Sequence, residues 1–258
     1  MSNNSELLTV ATEAALQAGA LLKQGFGTLF EISSKDGHHN LVTTYDRLAE
    51  SAIYQTVQRR FPTHGFLGEE SGQQKTGDIL WIVDPLDGTV NFAHNVPLFS
   101  VSIAVVVKNK VAAAVIYQPM TSELFWAEEG KGSYLNGKPL KVSTQTKLED
   151  AYLATGFPYN VKDDPLHCVE TFDRLTRLGI PIRRLGSAAI DLAYVAAGRF
   201  DAYWEVSLQP WDVAAGLLIV HEAGGTVTRY DGSVCNPAEE GTVIASNKYL
   251  HKSLQEYL

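Results

Sequence analysis

The segment Trp81-Ile82-Val83-Asp84-Pro85-Leu86-Asp87-Gly88-Thr89 narrows the possible folds more than any other stretch. The run ILWIVD over residues 79–84 has the composition of a buried strand and ends directly in a carboxylate. Pro85 fixes φ and lacks an N–H donor, so the strand is expected to stop there. Gly88 allows a sharp turn or close approach of the backbone to a ligand. Thr89 stands at the expected start of the next element, where free N–H groups suit a phosphate. Three more strand-like runs follow: FSVSIAVVV (99–107), VAAAVIY (111–117) and ELFWA (123–127). Asn136-Gly137, between short apolar runs, is a hairpin signal.

Helices are expected on either side of these strands. Leu7, Leu8, Ala11, Ala14, Ala15, Ala18, Leu21 and Leu22 fall at helical spacing over 5–25. The polar stretch SSKDGHHN then reads as an exposed loop or hairpin tip. A second helix is predicted over 44–60, closed by Pro62. From about residue 151 the chain alternates: a strand over 151–156, helices around 165–178 and 187–197, a strand over 200–206, and a helix over 211–222. Two short strands and a last helix complete it. Residues 1–145 and 146–258 therefore read as two halves of one compact α/β unit, built of layered helices and sheets.

The chain has 258 residues, 45% hydrophobic and 19% charged, enough to bury a sizeable core. Its net charge of −8 argues against coating nucleic acid. Cys168 and Cys235 form no CxxC pair and no disulfide framework, and both read as reduced, partly buried thiols. The N-terminus has no basic-then-apolar leader pattern, and no run of about 18 apolar residues occurs. A cytoplasmic enzyme is the expectation.

The surplus acid is unevenly placed. Asp84 and Asp87 lie three residues apart, Gly68-Glu69-Glu70-Ser71 stands just upstream, and Asp212 follows Trp211 at a helix start. Each has an ordinary reading: DPLDG as a turn with Asp caps, Asp212 as compensation of a helix dipole. Adjacent carboxylates repel, however, and together the three segments point to a hard cation with oxygen ligands, Mg²⁺ above all. Histidine is scarce around them, which disfavours zinc. Two such ions would clamp an in-line phosphoryl displacement by water. The DxDxT pattern of haloacid dehalogenase-type phosphatases does not fit, because the acids are three apart and Pro85 follows the first. Neither a G-x-x-x-x-G-K-[ST] nor a G-x-G-x-x-G loop is present.

Taken together, these residues resemble the inositol monophosphatase family. WIVDPLDGTVNFAH (81–94) is similar to its first signature and WDVAAGLLIVHEAGG (211–225) to its second. GEES (68–71), NLVTTYD (40–46), GSAA (186–189) and DAYWE (201–205) fit its shorter motifs. The resemblance spans nearly the whole chain. It implies a layered αβαβα sandwich, usually a homodimer. It also implies that Glu69, Asp84 and the Leu86 carbonyl hold one Mg²⁺, that Asp84, Asp87 and Asp212 hold a second, and that Glu69 helps a weak third through water. Thr89 and Asp46 would activate the attacking water. The Gly88 and Thr89 amides would receive the phosphate. Gly186, Ser187, Ala188, Glu205 and Asp212 would meet the substrate, with the alcohol portion at Ala188, Glu205 and Asp212. Glu70 would stiffen its loop from behind, and Lys35 lies in a loop that covers the metals. Many relatives carry Cys where this chain has Pro210.

The expected activity is Mg²⁺-dependent hydrolysis of a small phosphorylated polyol, inositol 1-phosphate first. Histidinol phosphate, fructose 1,6-bisphosphate and adenosine 3′,5′-bisphosphate stay open as sister substrates. The short gap from Glu70 to Trp81 leaves no room for a large lid and favours a small monophosphate. A regulatory role through a protein or RNA partner is the alternative of a different class. Its local hint is Arg174, Arg177, Arg183 and Arg184, which also read as an ordinary solvated face. His38 and His39 read as loop residues, Glu205 alone as a solvated acid, and Asp46 alone as a helix cap. Trp81, Trp126, Trp204 and Trp211 read as core or near-core aromatics.

Overall fold

The computed structural model describes residues 4–29, 31–34 and 41–258. Helix α1 (Asn4–Gly25) leads to a small hairpin, β1 (Ile32–Ser34) with β2 (Leu41–Thr43), and then α2 (Thr44–Arg60). Next come β3 (Gly65–Gly68), β4 (Gly72–Lys75), β5 (Ile79–Asp87), the short helix α3 (Thr89–Ala93), β6 (Ser100–Val107), β7 (Lys110–Gln118), β8 (Glu123–Glu128), β9 (Ser133–Leu135) and β10 (Lys138–Pro139). These strands form an eight-stranded sheet in the order β10-β9-β8-β7-β6-β5-β3-β4, with Asn136-Gly137 turning β9 into β10.

Beyond it lie β11 (Leu153–Thr155), α4 (Cys168–Arg177), β12 (Ile182–Arg183), α5 (Ala188–Ala196), β13 (Ala202–Leu208), α6 (Pro210–Glu222), β14 (Gly225–Thr228), β15 (Gly241–Asn247) and α7 (His251–Gln255). Their sheet runs β12-β11-β13-β15-β14.

Strand periodicity builds the layers. Alternate residues of β5 point to opposite faces. Trp81 and Val83 pack with α1 and α2, while Ile82 packs with α5 and α6. The five-stranded sheet repeats the device: Tyr203 faces α5 and α6, and Ala202 and Trp204 face Leu175 of α4 and Leu254 of α7. The order is helices, sheet, helices, sheet, helices, which is the expected αβαβα sandwich. Trp81 and Trp204 are fully buried, Trp126 and Trp211 half-buried, and both cysteines are free and buried. No helix among the described residues is long and apolar enough to cross a membrane.

Two sequence expectations need correction. Strand β5 does not stop at Pro85 but continues to Asp87. The pairing with β6 slips between Asp84↔Ser102 and Asp87↔Ser100, and this bulge asks no ladder donor of Pro85. The helix expected from 165 starts at Cys168, after two short 3₁₀ turns. The acidic residues 69–71 lie in a loop, as expected, and that loop is the tip of a hairpin between β3 and β4. Lys35, His38 and His39 lie outside the described residues.

Candidate active site

The bulge at the end of β5 aims two acids at one place. Asp84 is buried, and its Oδ1 accepts the Leu86 N–H at 2.9 Å. At the end of the strand, Asp87 Oδ2 accepts the Ser187 hydroxyl at 2.6 Å and the Ala189 N–H at 2.7 Å. The N-terminus of α5 therefore fixes Asp87 across the core. Strand β3 runs parallel to β5 and pairs Gly68 with Val83, and the Glu69 N–H donates to the Val83 carbonyl at 3.1 Å. Glu69 is thus carried to the same sheet end.

Asp46 and Asp212 arrive by a shared local device. Each is the third residue of its helix, in a capping box. Thr43 N–H and Oγ1 donate to Asp46 Oδ2 at 2.7 and 2.6 Å, and Gln209 N–H donates to Asp212 Oδ2 at 2.7 Å. The other Asp46 oxygen, Oδ1, lies 2.9 Å from the Thr89 hydroxyl. That hydroxyl is also 2.9 Å from the Leu86 carbonyl, so one proton is shared between two acceptors. Gly88 caps α3 with φ 99°, and the α3 residue Asn91 donates to the Leu98 and Leu185 carbonyls at 2.7 and 2.8 Å. These bonds tie α3 to the segment that holds Gly186 and Ser187.

The electrostatics are those of crowded, buried acids. Burial pushes Asp84 well above the usual carboxylate range, and Glu69, Asp87 and Asp212 push it further. Asp212 is raised by burial, then by Asp87 and Glu69. Burial lifts Asp87 to about 6 against the bonds from Ser187 and Ala189. It lifts Asp46 to about 6 against the bonds from Thr43 and Thr89. The charged neighbours that raise Asp84, namely Glu69, Asp87 and Asp212, are all acids, so these groups oppose one another's ionisation. An all-oxygen set in this state fits a hard divalent cation. Among the described residues no three His, Cys, Asp or Glu side chains stand close enough together, as they are placed, to hold a metal ion. The acids come from separate elements and lie near enough to raise one another.

Glu205 borders these acids on β13. Its Oε2 accepts the Tyr203 hydroxyl at 2.5 Å, and burial lifts it to about 7. Gly156 leaves room for it, since a Cβ there would lie 2.0 Å from Glu205 Oε2. Ala188 is buried at the start of α5, and Glu70 sits half-buried at the hairpin tip.

Three neighbours escaped the sequence reading. Tyr203 is fully buried against Glu205. Asp191 is 1% exposed on α5, is raised by burial and by Glu205 and Asp87, and has no hydrogen-bond partner for Oδ1 among the described residues. Tyr159 follows β11 and is 62% exposed, yet desolvation and the field of Glu69, Asp212, Asp87 and Asp84 push its phenol up to about 12. Asp191 sits in an ordinary helix pattern with no signal of its own, while Tyr203 falls inside the DAYWE motif (201–205) but is not marked out within it.

Fold and site together define a layered α/β protein with a buried carboxylate centre at a sheet end. Residues 3–258 match the model of the inositol monophosphatase family, and the chain belongs to that family. It is 43% identical over 255 residues to inositol-1-monophosphatase of Synechocystis, covering 97% of this chain and 88% of the relative. It is 41% identical over 251 residues to Nus factor SuhB of Escherichia coli K12, covering 96% and 94%. The solved inositol monophosphatase of Anabaena superposes with a TM-score of 0.88 at 40% identity, covering 99% of this chain and 96% of that one.

Proposed function

We propose that this chain is a Mg²⁺-dependent phosphomonoesterase acting on a small phosphorylated polyol, with inositol 1-phosphate as the first candidate. The observation that carries the reading is the Asp46–Thr89 pair, with Thr89 Oγ1 2.9 Å from Asp46 Oδ1, set beside the acids of β5. Glu69, Asp84, the Leu86 carbonyl, Asp87 and Asp212 would hold Mg²⁺. Bound there, Mg²⁺ supplies charge stabilisation to the phosphoryl oxygens and the leaving alkoxide.

The chain's own residues do the rest. Thr89 gives its proton toward Asp46 or Leu86 and keeps a lone pair free to accept from a water. Asp46, held at about 6, is near its operating range as the final proton acceptor at neutral pH. The Gly88 and Thr89 amides would receive phosphate oxygens. Glu205 and Ala188, with the Gly186–Ser187 segment, would meet the alcohol portion. Displacement in line at phosphorus then needs no covalent enzyme intermediate. The homodimer belongs to this proposal and is checked by sedimentation velocity.

Phosphate release is measured with Mg²⁺ over inositol 1-phosphate, histidinol phosphate, fructose 1,6-bisphosphate, glycerol phosphate and adenosine 3′,5′-bisphosphate. Turnover of a small monophosphate, suppressed by lithium, is the expected result. No release from any of them would overturn the proposal. A second reading, a regulatory role, is favoured by the similarity to the E. coli Nus factor. Against it, the arginines of the expected basic patch are engaged locally: Arg177 pairs with Asp173, and Arg174, Arg183 and Arg184 lie over Tyr257, Tyr152 and Phe157. Salt-sensitive co-purification with a large complex, without phosphate release, would favour the regulatory role.

A further inference from the structure

Glu50 lies one turn after Asp46 on α2, so both acids face the same side of that helix. Glu50 is only 5% exposed. Its Oε2 accepts the N–H of Glu70 at 2.9 Å. The preceding peptide is pinned separately, by the bond from Glu69 N–H to the Val83 carbonyl at 3.1 Å. Glu69 therefore hangs between two buried anchors, β5 on one side and α2 on the other. The fit around the second anchor is close. A Cβ on Gly68 would fall 2.3 Å from Glu50 Oε2 and 2.6 Å from its carboxyl carbon, far inside contact distance.

We propose that Glu50 is a positioning residue for the metal loop: its carboxylate holds the Glu70 peptide and so sets where Glu69 can meet a cation. The absence of a side chain at Gly68 is what allows the carboxylate to reach that peptide. This rests on the proposed Mg²⁺ site, which it deepens. A carboxylate that accepts a peptide N–H makes a stronger bond than a neutral acceptor. The same helix then serves the site twice, orienting Thr89 through Asp46 and Glu69 through Glu50.

The test is Mg²⁺ titration by calorimetry, with amide hydrogen exchange at Glu70 as a second readout. Glu50→Met keeps the length of the side chain but leaves no oxygen to accept. It is expected to weaken Mg²⁺ binding by about tenfold or more, the usual effect of losing a partner behind a metal ligand. It should also lose protection of the Glu70 amide. Glu50→Gln keeps a carbonyl acceptor and should bind Mg²⁺ much closer to the wild type than Glu50→Met does, short of that roughly tenfold loss. Gly68→Ala leaves Glu50 in place and should reproduce the weakened binding. In a Glu50→Ala background the same Gly68→Ala change should add clearly less than it does alone, since only the Phe66 ring, at 3.0 Å, is left for the new Cβ to meet. Wild-type affinity and Glu70 protection in Glu50→Met would overturn the inference while leaving the proposed function intact. If Glu50→Met fails to fold, unchanged Mg²⁺ binding by Gly68→Ala overturns it equally. A wild-type chain that takes up no Mg²⁺ would instead remove the proposed function, and this inference with it.

Discussion

Asp87 carries two duties that pull against each other. It is offered to a cation, and it is also the acceptor that joins β5 to the start of α5 through Ser187 and Ala189. Asp87→Asn should abolish turnover, because the amide cannot supply the charge. Its remaining carbonyl can still accept from Ser187 and Ala189. Burial holds the Asp87 carboxyl at about 6, so ionisation at neutral pH works against folding and the amide removes that cost. The variant's Tm in EDTA should equal or exceed that of the wild type, by calorimetric scan, while phosphate release disappears. Asp84, Asp87 and Asp212 were legible in the sequence because they sit in signatures with Pro, Gly and Trp beside them. Glu50 and Asp191 were not. A single acid in a helical pattern reads as solvated, and only tertiary packing buries it.

At the scale of elements, helix starts do most of the positioning. Asp46 and Asp212 cap their own helices, and Ser187 caps α5 through the Ile190 N–H at 3.4 Å while donating to Asp87. Ser187→Ala should cost about 1 kcal/mol in urea unfolding, the usual effect of a lost cap, and should reduce turnover as well. The long helices and the strands β6, β7 and β8 were legible from periodicity. The short strands β3 (GFLG) and β4 (GQQK) were not, because one is half glycine and the other is polar without alternation. The extent of β5 was misread for a related reason. Pro85 breaks a regular ladder but is tolerated in a bulge, and a bulge is decided by the pairing strand, which lies beyond the segment itself.

Across the whole molecule, the site draws on four of the five layers: α2 outside, the ends of β3 and β5, the starts of α5 and α6 between the sheets, and β13 of the second sheet through Glu205. Mg²⁺ should therefore stabilise the fold. At a hundredfold excess over Kd the gain is about 2.7 kcal/mol, lost again with EDTA, and a thermal scan at stepped Mg²⁺ concentrations checks it. At the surface, Arg199, just before β13, pairs with Glu123 of β8 and so ties the two sheets together. Burial pushes Glu123 up, but the bond and charge of Arg199, with Thr121 and Tyr194, hold it below 4.5 on balance. A depressed carboxylate stabilises the fold above its unfolded value and stops doing so as pH falls through the folded one. The wild type's advantage over Glu123→Gln should thus be full above pH 4.5 and vanish in stronger acid, by urea unfolding across pH. The attachment of Glu69 and Glu70 to two different layers has a further consequence for how the molecule comes apart. If the outer helices peel away while the central sheets hold, the hairpin tip loses its backing from α2, and the ion goes before the core melts. Cation release would then precede global unfolding, and the ion would serve as the rivet that keeps the outermost layer closed.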